Sequence, residues 1–148
     1  MNVTDIDDKT IRDSQKAGKN LKEYTEFYTQ AFLEDIAHIH IRQADTIAPI
    51  SLLVDEMITL IQRLLDTGYA YLADDNSIYY SVAKFSHYGE LANLDMKGMI
   101  SSVRINNDEY EKEQVADFAL WKAYDPEKDG PNRWDATFQI DGKTVSVS

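Results

Sequence analysis

Residues 60–82, Leu60-Ile61-Gln62-Arg63-Leu64-Leu65-Asp66-Thr67-Gly68-Tyr69-Ala70-Tyr71-Leu72-Ala73-Asp74-Asp75-Asn76-Ser77-Ile78-Tyr79-Tyr80-Ser81-Val82, contain a change of period. Before Gly68 the apolar residues recur every three or four positions, the mark of one helix face. After it they alternate. Tyr69 and Tyr71 interleave with Ala70 and Leu72, Asp74-Asp75-Asn76 supplies a turn, and Ile78, Tyr80 and Val82 alternate on the return. A helix followed directly by a β-hairpin makes this an α/β chain.

Upstream, the helix continues back through Met57, Ile58, Leu53 and Val54 to Ser51, a capping residue placed after the break at Pro49. A second stripe, Leu21, Tyr24, Phe27, Tyr28, Ala31, Phe32 and Ile36, predicts a helix of about five turns. Asn20 with Glu23 makes a capping-box-like start. Residues 8–17 suit a short polar helix stopped at Gly18, where a left-handed residue is cheapest. Two long amphipathic helices on a short connection are expected to pack antiparallel.

Downstream, residues 85–94 read as irregular or as a short helix, with Tyr88-Gly89 as a turn, and residues 103–105 as a short strand. Residues 107–135 hold nine Asp or Glu against four Lys or Arg. Inside that acidic stretch lies Asp117-Phe118-Ala119-Leu120-Trp121-Lys122, a strand-like run. Pro126, Gly130 and Pro131 then predict a loop. A last hairpin turns at Asp141-Gly142, a pair that fits a type I′ turn. The two hairpins and the 117–122 strand are expected to form one small sheet, with the division of the chain near residue 68: 1–68 helical, 69–148 β-rich.

The net charge of −11 sets an isolated chain against nucleic acid and anionic lipid. No apolar run approaches a membrane span, and no basic-then-apolar leader opens the chain, so the cytoplasm is the default expectation. The absence of cysteine excludes disulfides, thiol catalysis and a Cys-ligated zinc within these residues.

Three carboxylates, Asp5, Asp7 and Asp8, crowd four positions. Hard cations take such clusters, but Asp equally caps helix N-termini, and capping is the expectation here. His38 and His40, two apart on a helical pattern, diverge rather than converge on a metal. His87 reads as a turn residue. Neither a Ser-His-Asp arrangement with a strained nucleophile nor a phosphate-cradling glycine loop is present. The residues alone give no catalytic and no metal-ligating set.

Several segments nonetheless carry a family resemblance, in collinear order over most of the chain. Residues 2–9, Asn-Val-Thr-Asp-Ile-Asp-Asp-Lys, resemble the Asn-Ile-Thr-Asp-Ile-Asp-Asp-Lys motif of cysteinyl-tRNA synthetases. Phe27 to Asp35 resembles an aromatic-rich helix of that family. Residues 55–71, with Glu56-Met57-Ile58 and Gly68-Tyr69-Ala70-Tyr71, are similar to its next helix and strand. Ile78 to Val82 and Phe85 to Leu91 resemble the segments that follow, and Asp117 to Lys122 matches the family's Asp-Phe-Ala-Leu-Trp-Lys outright.

The resemblance implies a class I synthetase: a Rossmann-type catalytic domain that activates cysteine with ATP and transfers it to tRNA(Cys). This chain would be an internal part of it, partial in its Rossmann sheet, with a long antiparallel helix pair and a small mixed or antiparallel β insertion from the connective region. By the same resemblance Thr4 lines the cysteine pocket, and Asp5, Asp7 and Asp8 fix a strand-to-helix corner. Zinc and Mg-ATP are implied for the full-length enzyme, on motifs outside this chain, so the chain alone is expected to be inactive. Residues 96–104 depart from the family pattern. Competing readings are a mycothiol-pathway cysteine ligase, which shares the Thr-Asp-Ile-Asp-Asp motif, and a free-standing acidic interaction module. Exposed edges near Asn2 are expected to favour self-association.

Overall fold

The computed structural model describes residues 1–92 and 117–148, which divide into two compact units. The first comprises Met1–Ile58 with Tyr124–Trp134, the second Thr59–Ala123 with Asp135–Ser148. Helices and small sheets make a mixed α/β fold. The strand predicted at residues 103–105 and the stretch 96–104 lie outside the described residues.

In the first unit β1 (Asn2–Val3) pairs in parallel with β2 (Ala48–Pro49), Asn2 opposite Ala48 and Val3 opposite Pro49. Between them run α1 (Asp8–Lys16) and α2 (Leu21–His38), which pack on each other. α1 buries Ile11 and Ser14, and the Ser14 hydroxyl donates to the Ile11 carbonyl at 2.8 Å, which satisfies it away from water. Gly18, at φ +64°, ends α1. Its N–H donates to the Gln15 carbonyl and that of Lys19 to Ser14, the two bonds of a Schellman stop. Asn20 starts α2 by accepting the Glu23 N–H at 2.8 Å. α2 ends in the same Schellman pattern with His40 at φ +59° in the place usually taken by glycine. His40 is thus a stop residue, while the His38 ring sits 2.7 Å from the Glu34 carbonyl.

Of the two long helix stripes, the one on α2 is covered only in part. α2 packs on α1, while Phe27, Tyr28 and Phe32 of its stripe are exposed. Leu21, Tyr24, Ala31 and Ile36 of the stripe are half-buried, as is Thr29, and Thr25 is the one buried residue of α2. The aromatic residues span too wide an arc for all of them to face one neighbour. Ser51 is also not a helix cap. It lies in a 3-10 turn (Ile50–Leu53) ahead of α3 (Val54–Asp66), and its N–H and hydroxyl both donate to the Asp5 carboxylate. The predicted loop after Tyr124 holds one helical turn, α4 (Pro126–Asp129), because Asp125 caps it and Pro126 occupies the first position, where its missing N–H costs nothing.

In the second unit β3 (Ala70–Leu72), β4 (Ile78–Tyr80) and β5 (Phe118–Trp121) form an antiparallel sheet in the order β3-β4-β5. Gly68, at φ +76°, releases the chain from α3 into β3. Asp117 ties β5 to the hairpin: its carboxylate accepts the Val82 N–H at 2.8 Å and the Tyr71 hydroxyl at 3.0 Å. The last hairpin, β6 (Ala136–Ile140) and β7 (Lys143–Val147), turns on Asp141 and Gly142, both at positive φ as a type I′ turn requires. It forms its own two-stranded ladder rather than joining the other three strands, a correction to the single sheet expected. It meets them through side chains, Trp121 standing edge-on to Phe138 at 6.1 Å. Ile61, Ile78, Val82, Phe138 and Val147 are buried, Ile78 and Phe138 completely.

Candidate functional site

β1 hands the chain to Thr4, and Asp7 starts α1 three residues later. The corner between them is held by side chains. Asp7 accepts the Lys9 N–H at 2.8 Å, and its own N–H donates to the Thr10 hydroxyl at 3.1 Å, a reciprocal capping box. Asp8 sits in the first helical turn, where the dipole favours a carboxylate. Asp5 points elsewhere, to Ser51, and fastens the corner to the turn ahead of α3. The three aspartates therefore do not converge, and among the described residues no group of three His, Asp or Glu is placed to hold a cation. The His87 ring meets Glu90 at 2.9 Å on the surface of the second unit.

Beside this corner lies a cavity of about 430 Å³. Thr4 and the end of β1 form one side, Lys9, Thr10 and Asp13 of α1 a second, and Tyr24, Tyr28 and Phe32 of α2 a third. A crevice at the carboxyl end of a parallel strand is where α/β sheets bind ligands. Its volume falls in the range of small-molecule sites.

The Arg12 guanidinium donates to Asp13 at 2.8 Å and holds that carboxyl below the usual carboxylate range. Burial, then the neighbouring Tyr28 hydroxyl, pushes the Tyr24 phenol up, so it stays protonated at neutral pH. The Tyr24 and Tyr28 rings lie 4.9 Å apart, and Phe27 stands edge-on to Tyr28 at 5.2 Å. Such a site is equipped to bind: the Thr4 hydroxyl, the Asp13 carboxylate and the Lys9 side chain stand around one cavity with an aromatic wall. Of the residues expected at a site, Thr4 lines the cavity along with Asp5. Tyr24, Tyr28 and Phe32 were read as core. The signal that could have set them apart is the run of threonines, Thr25 and Thr29, that takes the covered side of the same helix.

The comparisons with known proteins cover this region and nearly all the rest. Residues 1–142 match the family model described as the tRNA synthetases class I (C) catalytic domain. The chain belongs to this family. It is 42% identical over 138 residues to a cysteine–tRNA ligase of Chlamydia muridarum and 44% identical over 138 residues to one of Chlamydia pneumoniae. Each match takes in 93% of this chain and 29% of the relative. A cysteine–tRNA ligase of Koribacter versatilis is 44% identical over 135 residues, 91% of this chain and 27% of its own. This synthetase chain thus spans under a third of the length of the curated relatives it matches. The family match ends at Gly142, inside the turn of the last hairpin. The residues present do not fit the zinc that the family resemblance implies: the chain has no cysteine, and its described histidines and carboxylates do not gather. Among the described residues no helix is long and apolar enough to cross a membrane.

Proposed function

We propose that this chain is part of a cysteine–tRNA ligase that activates cysteine with ATP and transfers it to tRNA(Cys) in the cytoplasm. The observation that carries the reading is the identity of 41–44% to proteins of that name across nine-tenths of the chain. The same names favour it over a mycothiol-pathway ligase and over a free-standing interaction module. The fold is read as part of a Rossmann-type domain, its parallel β1–β2 pair belonging to the catalytic sheet and residues 69–148 to the connective insertion.

In this reading Thr4 lines the cysteine pocket from the end of β1, and its hydroxyl orients the amino acid. Asp7 and Asp8 hold the start of α1, and Asp5 holds the corner, so that Thr4 keeps its place. A site must fix its contacting groups to about half an ångström, and loops do this only when tied down. Zinc and Mg-ATP bind to other parts of the enzyme, so the chain by itself neither activates cysteine nor holds zinc. Open strand edges leave the isolated chain prone to self-association.

Cysteine-dependent exchange of pyrophosphate into ATP tests this. The expected result is no exchange above background with the 148-residue chain and robust exchange with the complete ligase that carries these residues. Exchange by the isolated chain would overturn the division of labour. A complete ligase indifferent to cysteine would overturn the function.

A further inference from the structure

β1 and β2 pair as far as Val3 and Pro49. Pro49 has no N–H to carry the ladder on, so the chain beyond Val3 is held by other bonds. It turns at once. The Asp5 N–H donates to the Val3 carbonyl at 3.0 Å, which closes a three-residue turn with Thr4 at its apex, beside the cavity.

Ser51 holds the far leg of that turn. Its N–H donates to one oxygen of the Asp5 carboxylate at 3.0 Å, and its hydroxyl donates to the other. Bonds to a carboxylate are stronger than neutral ones, and both residues are half-buried, where water competes less. α1 offers a weaker tie, because the Thr10 hydroxyl lies 3.4 Å from the Asp5 carbonyl but 2.9 Å from that of Asp7. Ser51 does not line the cavity. It lies two residues past Pro49, on the turn that leads into α3, so its place is set by the same β2 that pairs with β1.

We infer that Ser51 is a positioning residue for the amino-acid pocket: by clamping Asp5 it fixes the turn that presents Thr4. This rests on the reading of Thr4 as a wall of the cysteine pocket. Without the Ser51 hydroxyl, Asp5 keeps one of its two bonds, the turn gains freedom, and Thr4 spends part of its time away from the amino acid. The affinity for the amino acid falls with that fraction.

Pyrophosphate exchange by the complete ligase, with cysteine and ATP varied in turn, tests this on Ser51→Ala, Thr4→Val and the two combined. Ser51→Ala is expected to raise the KM for cysteine about fivefold, the value of one hydrogen bond, and to leave the KM for ATP unchanged. Added to Thr4→Val it should raise the KM no further, because a clamp has no effect once the hydroxyl it positions is gone. Ser51→Thr, which keeps a hydroxyl, should hold the KM for cysteine near that of the parent. If Thr4→Val raises the KM and Ser51→Ala does not, if the two effects multiply, or if Ser51→Thr behaves as Ser51→Ala, the inference falls and the pocket stands. A Ser51→Ala ligase that fails to fold, or that loses kcat and both KM values alike, makes Ser51 structural only and also overturns it. A KM for cysteine indifferent to Thr4→Val overturns the pocket, and the inference with it.

Discussion

The two units differ in how they treat their aromatic residues. In the second, Phe138 is sealed under Trp121, and Tyr69, Tyr80 and Phe118 stack across the sheet, with Tyr80 and Phe118 rings 5.1 Å apart. In the first, Phe27 is 60% exposed and Tyr28 55%, and the best-buried residues of the helices are Ile11, Ser14 and Thr25. The second unit closes a core on Ile78 and Phe138, with Tyr71, Phe85 and Phe118 partly exposed around it. The first leaves its large side chains around a cavity and depends on caps and side-chain bonds to hold its shape. Binding surfaces are commonly drawn from the less tightly closed parts of a fold, and that contrast is what the following variants probe.

The largest effect belongs in the sealed core. Phe138→Ala is expected to destabilise the second unit by about 4 kcal/mol, since the ring is fully buried and its removal leaves a cavity beneath Trp121. Urea unfolding followed by Trp121 fluorescence, in a Trp134→Phe background, reads this directly. A cost under about 1 kcal/mol would mean that the hairpin is not sealed. Asp117→Ala comes next, at about 2 kcal/mol, because it orphans the Val82 N–H and removes the acceptor of Tyr71. It has a second signature. Burial, then the bond to Asp117, pushes the Tyr71 phenol up. The variant should lower its titration midpoint, read by ultraviolet absorbance against pH.

In the open unit the effects shrink. Asp7→Ala should cost about 1 kcal/mol through the lost capping box at α1. Thermal unfolding, followed through Trp134, measures it. A loss as large as that of Phe138→Ala would erase the contrast between the units. The smallest effect is at Asp125, the cap of α4. Its bonds from the Glu127 N–H, and then from Lys128, hold its carboxyl below the ordinary value. A depressed folded-state value gives stability that is present above the usual carboxylate range and lost as pH falls through the folded value. The turn should therefore fray only below about pH 4, where unfolded aspartates protonate. Amide shifts of Glu127 and Lys128 followed downward in pH report it.

Much of the sealed unit was legible in the sequence because its signals are local. The Asp141-Gly142 turn, the stop at Gly68 and the alternation of Ile78 and Tyr80 each act within a few residues. The stripe on α3 was equally plain: Val54, Met57, Ile58, Ile61, Leu64 and Leu65 are all at least half-buried. The open unit was less legible because its decisive contacts are distant in sequence. Pairing of β1 with Ala48–Pro49 and the bond from Ser51 to Asp5 each join residues some 46 apart, and a proline there reads as a break. The stripe on α2 held for Leu21, Tyr24, Ala31 and Ile36, which are at least half-buried, and failed for Phe27, Tyr28 and Phe32, because aromatic residues on a helix signal burial whether a neighbouring helix or a cavity faces them. Nothing in periodicity marked Thr4. It came into view through resemblance alone, and the cavity beside it forms only once α1 and α2 fold against the end of β1.

The central claim is that the cavity at the end of β1 belongs to amino-acid binding. The most direct measurement is pyrophosphate exchange by the complete ligase carrying Thr4→Val, with cysteine and ATP varied in turn. The account expects the KM for cysteine to rise about tenfold, the value of one hydrogen bond lost in a polar site, with the KM for ATP unchanged. An unaltered KM for cysteine would contradict it.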